Sequence, residues 1–262
     1  MFKRILFALS ILSFLACANA TIVILKPVYS VVEPGQTIQV GSVMRGERLL
    51  LVIDRNAYFH TWTDAFVDKG LLGKDWTVLP ARVESTSISI EVVVPSNAEF
   101  RSQTISLTLS DKQTGIEETA AIAVLVEKGL VSVQLPVQMK TARVGETVCY
   151  PIILQNWSVS SHKVFVSSSL PSYWFSGIEK EIKPKDFAEV EACIEAKVIG
   201  SRDFDFFVDS LESSERLQSR KASIEVLPTI QGKYAAALNG LPFYMPTLLP
   251  YFLLDSIFSF LR

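Results

Sequence analysis

Residues 33–40 read EPGQTIQV, and residues 143–150 read RVGETVCY. Each stretch places a glycine in a turn and then opens an alternating run at a threonine, a pattern typical of entry into a β-strand. Three further pairs of similar short runs follow in the same order: 87–95 with 187–196, 103–110 with 203–210, and 120–126 with 222–227. The sequence therefore predicts a duplicated β-rich domain.

The middle of the chain consists of short alternating runs. Glycine, proline, asparagine, aspartate and serine separate them, and long runs with a helical period are missing. This spacing indicates antiparallel β-sandwiches. We predict an all-β protein with two tandem β-sandwich domains, at 21–128 and 129–228. A signal peptide at 1–20 precedes them, and a linker with an apolar, helical tail at 229–262 follows.

The cysteines predict a disulfide. Cys149 and Cys193 remain if the first 20 residues are removed, and an even pair in an exported protein suggests a bridge. Each cysteine alternates with the more apolar positions of its run, so both thiols should point away from the core. A bridge between neighbouring strands would stabilise the fold by about 3–4 kcal/mol. The alternative is two unpaired thiols on separate strands.

The turns and strands resemble a known class of domain. The Gly-Glu-Thr and Pro-Gly-Gln-Thr turns each open a strand, and in the second half that strand ends at Leu154-Gln155-Asn156. A later turn, Lys183-Pro184-Lys185, opens another strand. The chain resembles the immunoglobulin-like domains of bacterial and archaeal envelope proteins, including those appended to some secreted glycosidases. This resemblance implies spacing, adhesion or partner binding rather than chemistry.

The N-terminus reads as an export signal. Lys3 and Arg4 give a positive start, residues 5–16 are almost entirely apolar, and small residues precede a cleavage site after Ala20. The apolar run is too short to span a bilayer, which needs about 20 residues. Two alternatives stay open: a buried N-terminal strand or helix, and a lipoprotein-like cleavage that leaves Cys17 as the lipidated first residue.

The C-terminus reads as a membrane-associated tail. Residues 241–261 carry one charged side chain, Asp255, and as a helix they would extend about 31 Å. Apolar positions cover most of that helix: Leu248, Leu249, Phe252, Leu253, Ile257 and Phe260. Three prolines and Asp255 weaken the membrane-spanning interpretation. The narrow polar stripe that includes Asp255 fits a helix lying at the interface, or one packing its polar side against a partner in the membrane. Docking of the tail on its own sandwich is another alternative. A processed lipid-anchor signal is a further alternative.

Charge and motifs exclude several classes of function. The net charge of −2 offers no clustered basic surface for nucleic acid. The sequence contains no G-x-S-x-G, no H-E-x-x-H and no phosphate-binding glycine loop. We therefore predict no catalytic residues, no metal and no cofactor. Asp203, Asp205 and Asp209 alternate with Phe204, Phe206 and Val208, and two of these acids could face one calcium ion, but we favour an acidic solvent face on a half-buried strand.

Two features could contact ligands or carry a modification. Tyr58, Phe59, Trp62 and Trp76 form an aromatic-rich insert in the first domain. Such rings could bind sugar or peptide, or they could close one end of the sandwich. Asn156-Trp157-Ser158 is an N-glycosylation sequon, which matters if the cell has the machinery.

The leading hypothesis is an exported, membrane-tethered envelope protein with a binding or scaffolding role, at the cell surface or in a periplasm-like space. Its expected partners are the membrane and an unidentified protein or glycan. One alternative is a secretion or assembly chaperone that holds clients between its two domains. Another is a glycan-binding accessory or a hydrolase that uses the aromatic insert.

Overall fold

The structure is a computed structural model that describes residues 22–33, 35–57 and 61–228, together with the single positions Leu254 and Ile257. The described chain between residues 22 and 228 is all-β and divides into two units. Unit 1 comprises the described residues up to Leu130 together with Asn156–His162 and Lys183–Asp186. Unit 2 comprises the remaining described residues from Val131 onward. Unit 1 thus includes two short segments from the second half of the chain, which the sequence did not predict.

Unit 1 contains two sheets. One has the strand order β2-β1-β4-β8-β6, with β7 also paired to β8, and the other has the order β3-β10-β9-β5. The strands are β1 (Ile22–Lys26), β2 (Ser30–Val32), β3 (Thr37–Val43), β4 (Arg48–Asp54), β5 (Asp64–Val67), β6 (Thr77–Val78), β7 (Arg82–Val83), β8 (Ser87–Val93), β9 (Ser102–Asp111) and β10 (Ile116–Val126).

Alternation of apolar and polar residues places the core of unit 1 between these sheets. In β4, Leu49, Leu51 and Ile53 are buried, and in β9 the buried positions include Ile105 and Leu107. Residues of both sheets belong to one buried apolar cluster. Because side chains alternate between the faces of a strand, the intervening positions lie on the outer surface.

Unit 2 also contains two sheets, with the orders β11-β13-β16 and β12-β18-β17-β14-β15. Its strands are β11 (Val131–Gln134), β12 (Met139–Arg143), β13 (Thr147–Asn156), β14 (His162–Ser168), β15 (Ile178–Ile182), β16 (Phe187–Glu195), β17 (Gly200–Ser210) and β18 (Arg216–Leu227). Tyr150 lies edge-on to Phe204 and Phe206, with ring centroids 5.7 and 5.6 Å apart. These rings fill the core of this unit.

The two units share a core of seven strands, in which β1-β4-β8 and β3-β10-β9-β5 correspond to β11-β13-β16 and β12-β18-β17-β14. The order of this core resembles that of immunoglobulin-like sandwiches. In unit 1, β3 runs parallel to the last strand, β10, and in unit 2 β12 runs parallel to β18. Three of the four predicted sequence pairs fall on equivalent strands: β8 with β16, β9 with β17, and β10 with β18.

The first predicted pair needs a correction. Thr37 opens β3, whereas Thr147 opens β13, and these strands occupy different positions in their units. The equivalent of β13 is β4, so the turn that corresponds to Gly145-Glu146 is Gly46-Glu47. Residues 33–40 and 143–150 look similar in sequence because a Gly-Gln or Gly-Glu turn precedes a strand in each.

The predicted signal peptide, with Cys17 and Ala20, lies outside the described residues. The same is true of the apolar tail except for Leu254 and Ile257. Within the part of the chain that the structure describes, no helix combines the length and apolarity needed to cross a membrane.

Candidate functional site

A Gly-Glu turn positions a carboxylate inside unit 1. Gly46 has a φ of +80°, a conformation that glycine adopts without steric cost. Its N–H donates to the carbonyl of Val94 at 3.0 Å, and the Val94 N–H donates to the carbonyl of Glu47 at 2.9 Å. The Glu47 carboxylate accepts the N–H of Met44 at 2.8 Å. The turn therefore fixes the Glu47 side chain at the start of β4.

The Glu47 carboxylate is fully buried and has side-chain partners on both oxygens. The hydroxyl of Ser158 donates to Oε2 at 2.5 Å. The Nδ1 of His162 lies 2.9 Å from Oε1. All three side chains have 0% exposure. A buried charge is tolerated when it is paired and hydrogen bonded, so these partners make the burial of Glu47 possible. We call Glu47, Ser158 and His162 the Glu47 cluster.

The segment that supplies Ser158 and His162 is held along its length. The Val159 N–H donates to the carbonyl of Ser42 at 3.0 Å, and the Ser160 hydroxyl donates to the carbonyl of Arg48. The Val159 side chain is buried in the apolar core of unit 1. Gly41 makes room for it, because a Cβ at that position would lie 2.6 Å from the Val159 Cγ1. Residues 156–162 thus complete the core of unit 1.

The Glu47 cluster combines the residue types of a serine hydrolase, but its geometry serves packing. A nucleophile has to reach a substrate, and Ser158 and His162 have no exposed surface. The Ser158 hydroxyl donates to the carboxylate and accepts the N–H of Ser160 at 3.0 Å. These bonds anchor the segment to the Gly-Glu turn.

The predicted glycosylation sequon is part of this segment and is not presented by the folded chain. Asn156 is fully buried, and its side-chain amide donates to the carbonyls of Ser160 and Lys183 at 2.8 and 3.2 Å. Its Oδ1 accepts the N–H of Ser158 at 2.9 Å. A glycan would occupy the nitrogen that makes these bonds. Sequence pattern alone could not show that this loop is buried.

The predicted disulfide between Cys149 and Cys193 is confirmed. The two residues face each other in the antiparallel pairing of β13 with β16. The positions that alternate with them, among them Tyr150 and Ala192, are buried. The bridge therefore lies on the face opposite the core, as the alternation predicted. Glu191 is close to both sulfurs, but two bonded cysteines do not offer thiolates to a metal.

The aromatic insert is divided between core and surface. Trp62 is fully buried in the core of unit 1, so its ring fills the sandwich and has no surface for a ligand. Trp76 is half-buried, packs against the same core and lines a surface hollow. Tyr58 and Phe59 lie outside the described residues.

The acidic residues of β17 take several partners. Asp209 accepts a hydrogen bond from Nε of Arg216 at 2.9 Å. Asp203 and Asp205 line a shallow hollow together with Lys221. The lysine adds a positive charge where a calcium ion would need further oxygen ligands. This arrangement fits the solvent-face explanation.

Few of the predicted tail residues can be placed. Leu248, Leu249, Phe252, Leu253 and Phe260 lie outside the described residues, whereas Ile257 is 51% exposed. The membrane association of the tail stays a prediction.

Comparison with known proteins gives no family assignment. No family model matches the chain, and no curated protein matches it. Solved structures that resemble it include a chimeric titin Z1Z2 carrying a peptide from decorin, with 12% identity and a TM-score of 0.40 over 81% of this chain and 98% of that one.

Two further resemblances are weaker. The D00-D0 domain of intimin has 8% identity and a TM-score of 0.27, over 69% of this chain and 94% of its own. An ASH/PapD-like domain of human CEP192 has 13% identity and a TM-score of 0.29, over 38% of this chain and 86% of its own. At such low values, these likenesses do not extend to function. The immunoglobulin-like resemblance rests on the strand order of each unit.

Proposed function

We propose that this chain is an exported, non-catalytic protein of two tandem immunoglobulin-like sandwiches with a binding or scaffolding role. In this proposal the tail at 229–262 tethers it to a membrane at the cell surface or in a periplasm-like space. The signal-like residues 1–20 direct export.

The observation that carries the proposal is the seven-strand core that the two units share, each unit being closed around its own apolar residues. Sandwiches of this kind present loops and outer faces on a rigid support, which suits binding and spacing. Fold alone does not determine function, so the argument also rests on the sites. The residues most suggestive of catalysis, those of the Glu47 cluster, are buried.

The disulfide supports a location outside the cytoplasm. Bridges such as Cys149–Cys193 persist in oxidising environments outside the cytoplasm and are rare inside it. An exported chain with an apolar end is a natural candidate for display at a membrane.

Alkaline carbonate extraction tests the tether. Membranes from cells expressing the full chain are compared with membranes from cells expressing a version that ends at Pro228. We expect the full chain in the pellet and the truncated chain in the supernatant. Release of both would overturn the integral tether. Retention of both would place the membrane contact within residues 1–228. In each sample, free thiols at Cys149 and Cys193, in place of the disulfide, would contradict export.

A further inference from the structure

A hollow on the surface of unit 1 has the make-up of a small-ligand site. It measures about 280 Å³ and lies between the β5–β6 loop, the β8–β9 loop and the start of β9. Its polar and aromatic lining includes Lys74, Asp75, Trp76, Asn97, Arg101 and Gln103. They place one aromatic ring among polar side chains that can donate and accept hydrogen bonds.

Two amides of the hollow are hydrogen bonded to its walls. The Asn97 amide donates to the Asp75 carboxylate at 3.1 Å, and the Gln103 amide donates to the carbonyl of Leu71 at 3.1 Å. Arg101 and Glu99 form an exposed ion pair at 3.1 Å, so these two side chains can rearrange to meet a ligand. The hydrogen-bonded amides lose less side-chain entropy when a ligand binds.

The backbone at Asp75 is strained. Its φ of +71° lies in the left-handed region, which non-glycine residues rarely adopt. Backbone positions in sparsely populated regions are enriched at ligand sites. Here this conformation places the Asp75 carboxylate within reach of Asn97.

The Trp76 ring is fixed at the wall of the hollow. One part of it packs against the core of unit 1. Gly73 leaves space for the indole, because a Cβ there would lie 3.0 Å from the Trp76 Nε1. A half-buried ring of this kind offers contact area at a low entropy cost.

The charges around the hollow balance. Lys74 and Arg101 are positive, and Asp75 and Glu99 are negative. A site with no net charge gives a strongly charged ligand no advantage. Carboxylate and amide groups accept and donate hydrogen bonds, which matches the hydroxyl groups of a neutral polyol.

We propose that this hollow binds one residue of a neutral sugar, with the apolar face of the sugar ring on Trp76 and its hydroxyls on Asp75, Asn97 and Arg101. The volume is near the lower limit of small-molecule pockets, about 300 Å³, and suits a single sugar ring. This inference deepens the proposed binding role and rests on it, because it names the ligand class for one surface of unit 1.

Fluorine NMR of the full chain tests the site. The four tryptophans are replaced by 5-fluorotryptophan, and the protein is kept in phosphocholine micelles, since sugar-headed detergents would compete. Glucose, galactose, mannose, N-acetylglucosamine and glucose 6-phosphate are titrated separately. The variant Trp76→Phe assigns the Trp76 signal. We expect at least one neutral sugar to shift that signal saturably and to leave the signal of the exposed Trp157 unchanged.

Variants distinguish sugar binding at the hollow from non-specific shifts of the fluorine signals. Asn97→Ala and Arg101→Ala should each weaken the affinity about tenfold, which corresponds to about 1.4 kcal/mol. The control Trp157→Phe should leave it unchanged. Three results would overturn the proposal: no shift with any sugar, an affinity in both site variants equal to that of the natural chain, or preference for glucose 6-phosphate over glucose. Carbonate extraction is independent of these results, so failure here would remove the sugar site and leave the tether standing.

Discussion

The two Gly-Glu turns of the molecule have the same local geometry and opposite surroundings. In both, the glutamate carboxylate accepts the backbone N–H three residues earlier at 2.8 Å. The preceding glycines, Gly46 and Gly145, have φ values of +80° and +86°. Each glycine donates to a carbonyl just after the neighbouring strand, that of Val94 or Ala196. The turn is therefore a repeated local unit.

The two turns differ in the surroundings of their glutamate side chains. Glu146 is exposed, whereas Glu47 is buried against Ser158 and His162. The same turn thus serves as a simple surface connection in unit 2 and as the anchor of a distant segment in unit 1. Local sequence determines the turn, and tertiary contacts determine what its carboxylate does.

The largest effect should come from removing the two carboxylates. Glu47→Ala leaves buried polar groups without their partner, and we expect a loss of about 3–5 kcal/mol in the free energy of unfolding. Glu146→Ala removes one hydrogen bond at the surface and should cost about 1 kcal/mol or less. Urea unfolding of the full chain, followed by circular dichroism, measures both. Equal losses would mean that burial of Glu47 adds nothing to the turn.

Unit 2 lacks the buried anchor at its turn but has a disulfide just beyond it. The bridge joins residues 44 positions apart, so replacing both Cys149 and Cys193 by serine should cost about 3–4 kcal/mol. The reducing agent dithiothreitol should destabilise the natural chain by a similar amount and leave the double variant unchanged. If reduction has no effect on unfolding, the bridge does not stabilise unit 2.

High pH should weaken unit 2 through Tyr150. Burial raises the pKa of Tyr150 from 10.0 to about 12, although a backbone hydrogen bond from Lys140 lowers it in part. The unfolded chain then loses this proton first, so the stabilisation is complete below pH 10 and disappears as the pH rises to about 12. A shift of this size corresponds to about 2–3 kcal/mol.

Tyr150→Phe isolates that effect. The variant loses the hydrogen bond from the hydroxyl to the carbonyl of Ser223, which should cost about 1 kcal/mol at neutral pH. Its unfolding free energy should fall less steeply between pH 10 and 12 than that of the natural chain. Parallel curves for the two proteins would contradict the raised pKa.

The smallest effect tests whether the turns are truly alike. Gly46→Ala and Gly145→Ala both force alanine into the left-handed region, which should cost about 1–2 kcal/mol each. Because the two φ values nearly coincide, the two losses should agree within about 0.5 kcal/mol. A clear difference, measured by thermal unfolding, would show that the surroundings also act on the backbone of the turn.

Features with a local or periodic cause were predictable from sequence. Alternation in 203–210 predicted a half-buried strand with an acidic solvent face, and Phe204 and Phe206 between the acids are indeed buried. The same reasoning placed Cys149 and Cys193 on the face opposite the core. The turns at glycines that precede strands could also be predicted. These signals need no knowledge of distant residues.

Features that depend on distant contacts were not predictable. Glu47 meets Ser158 and His162 across separations of 111 and 115 residues, and no local pattern distinguishes Glu47 from the exposed Glu146. The same limit explains the sequon, because the burial of Asn156 depends on where residues 156–162 pack. Trp62 and Trp76 read alike as aromatic residues, yet one is core and the other lines a hollow.

The inclusion of Asn156–His162 in unit 1 also affects the order of folding. Domains generally fold one after another from the N-terminus as a chain is synthesised. Glu47 gains its contacts with Ser158 and His162 only after those residues have been synthesised, so we expect the core of unit 1 to be completed after synthesis of the second half has begun. Completion of the N-terminal sandwich is therefore expected to depend on ribosomal synthesis of segments more than a hundred residues downstream of Glu47.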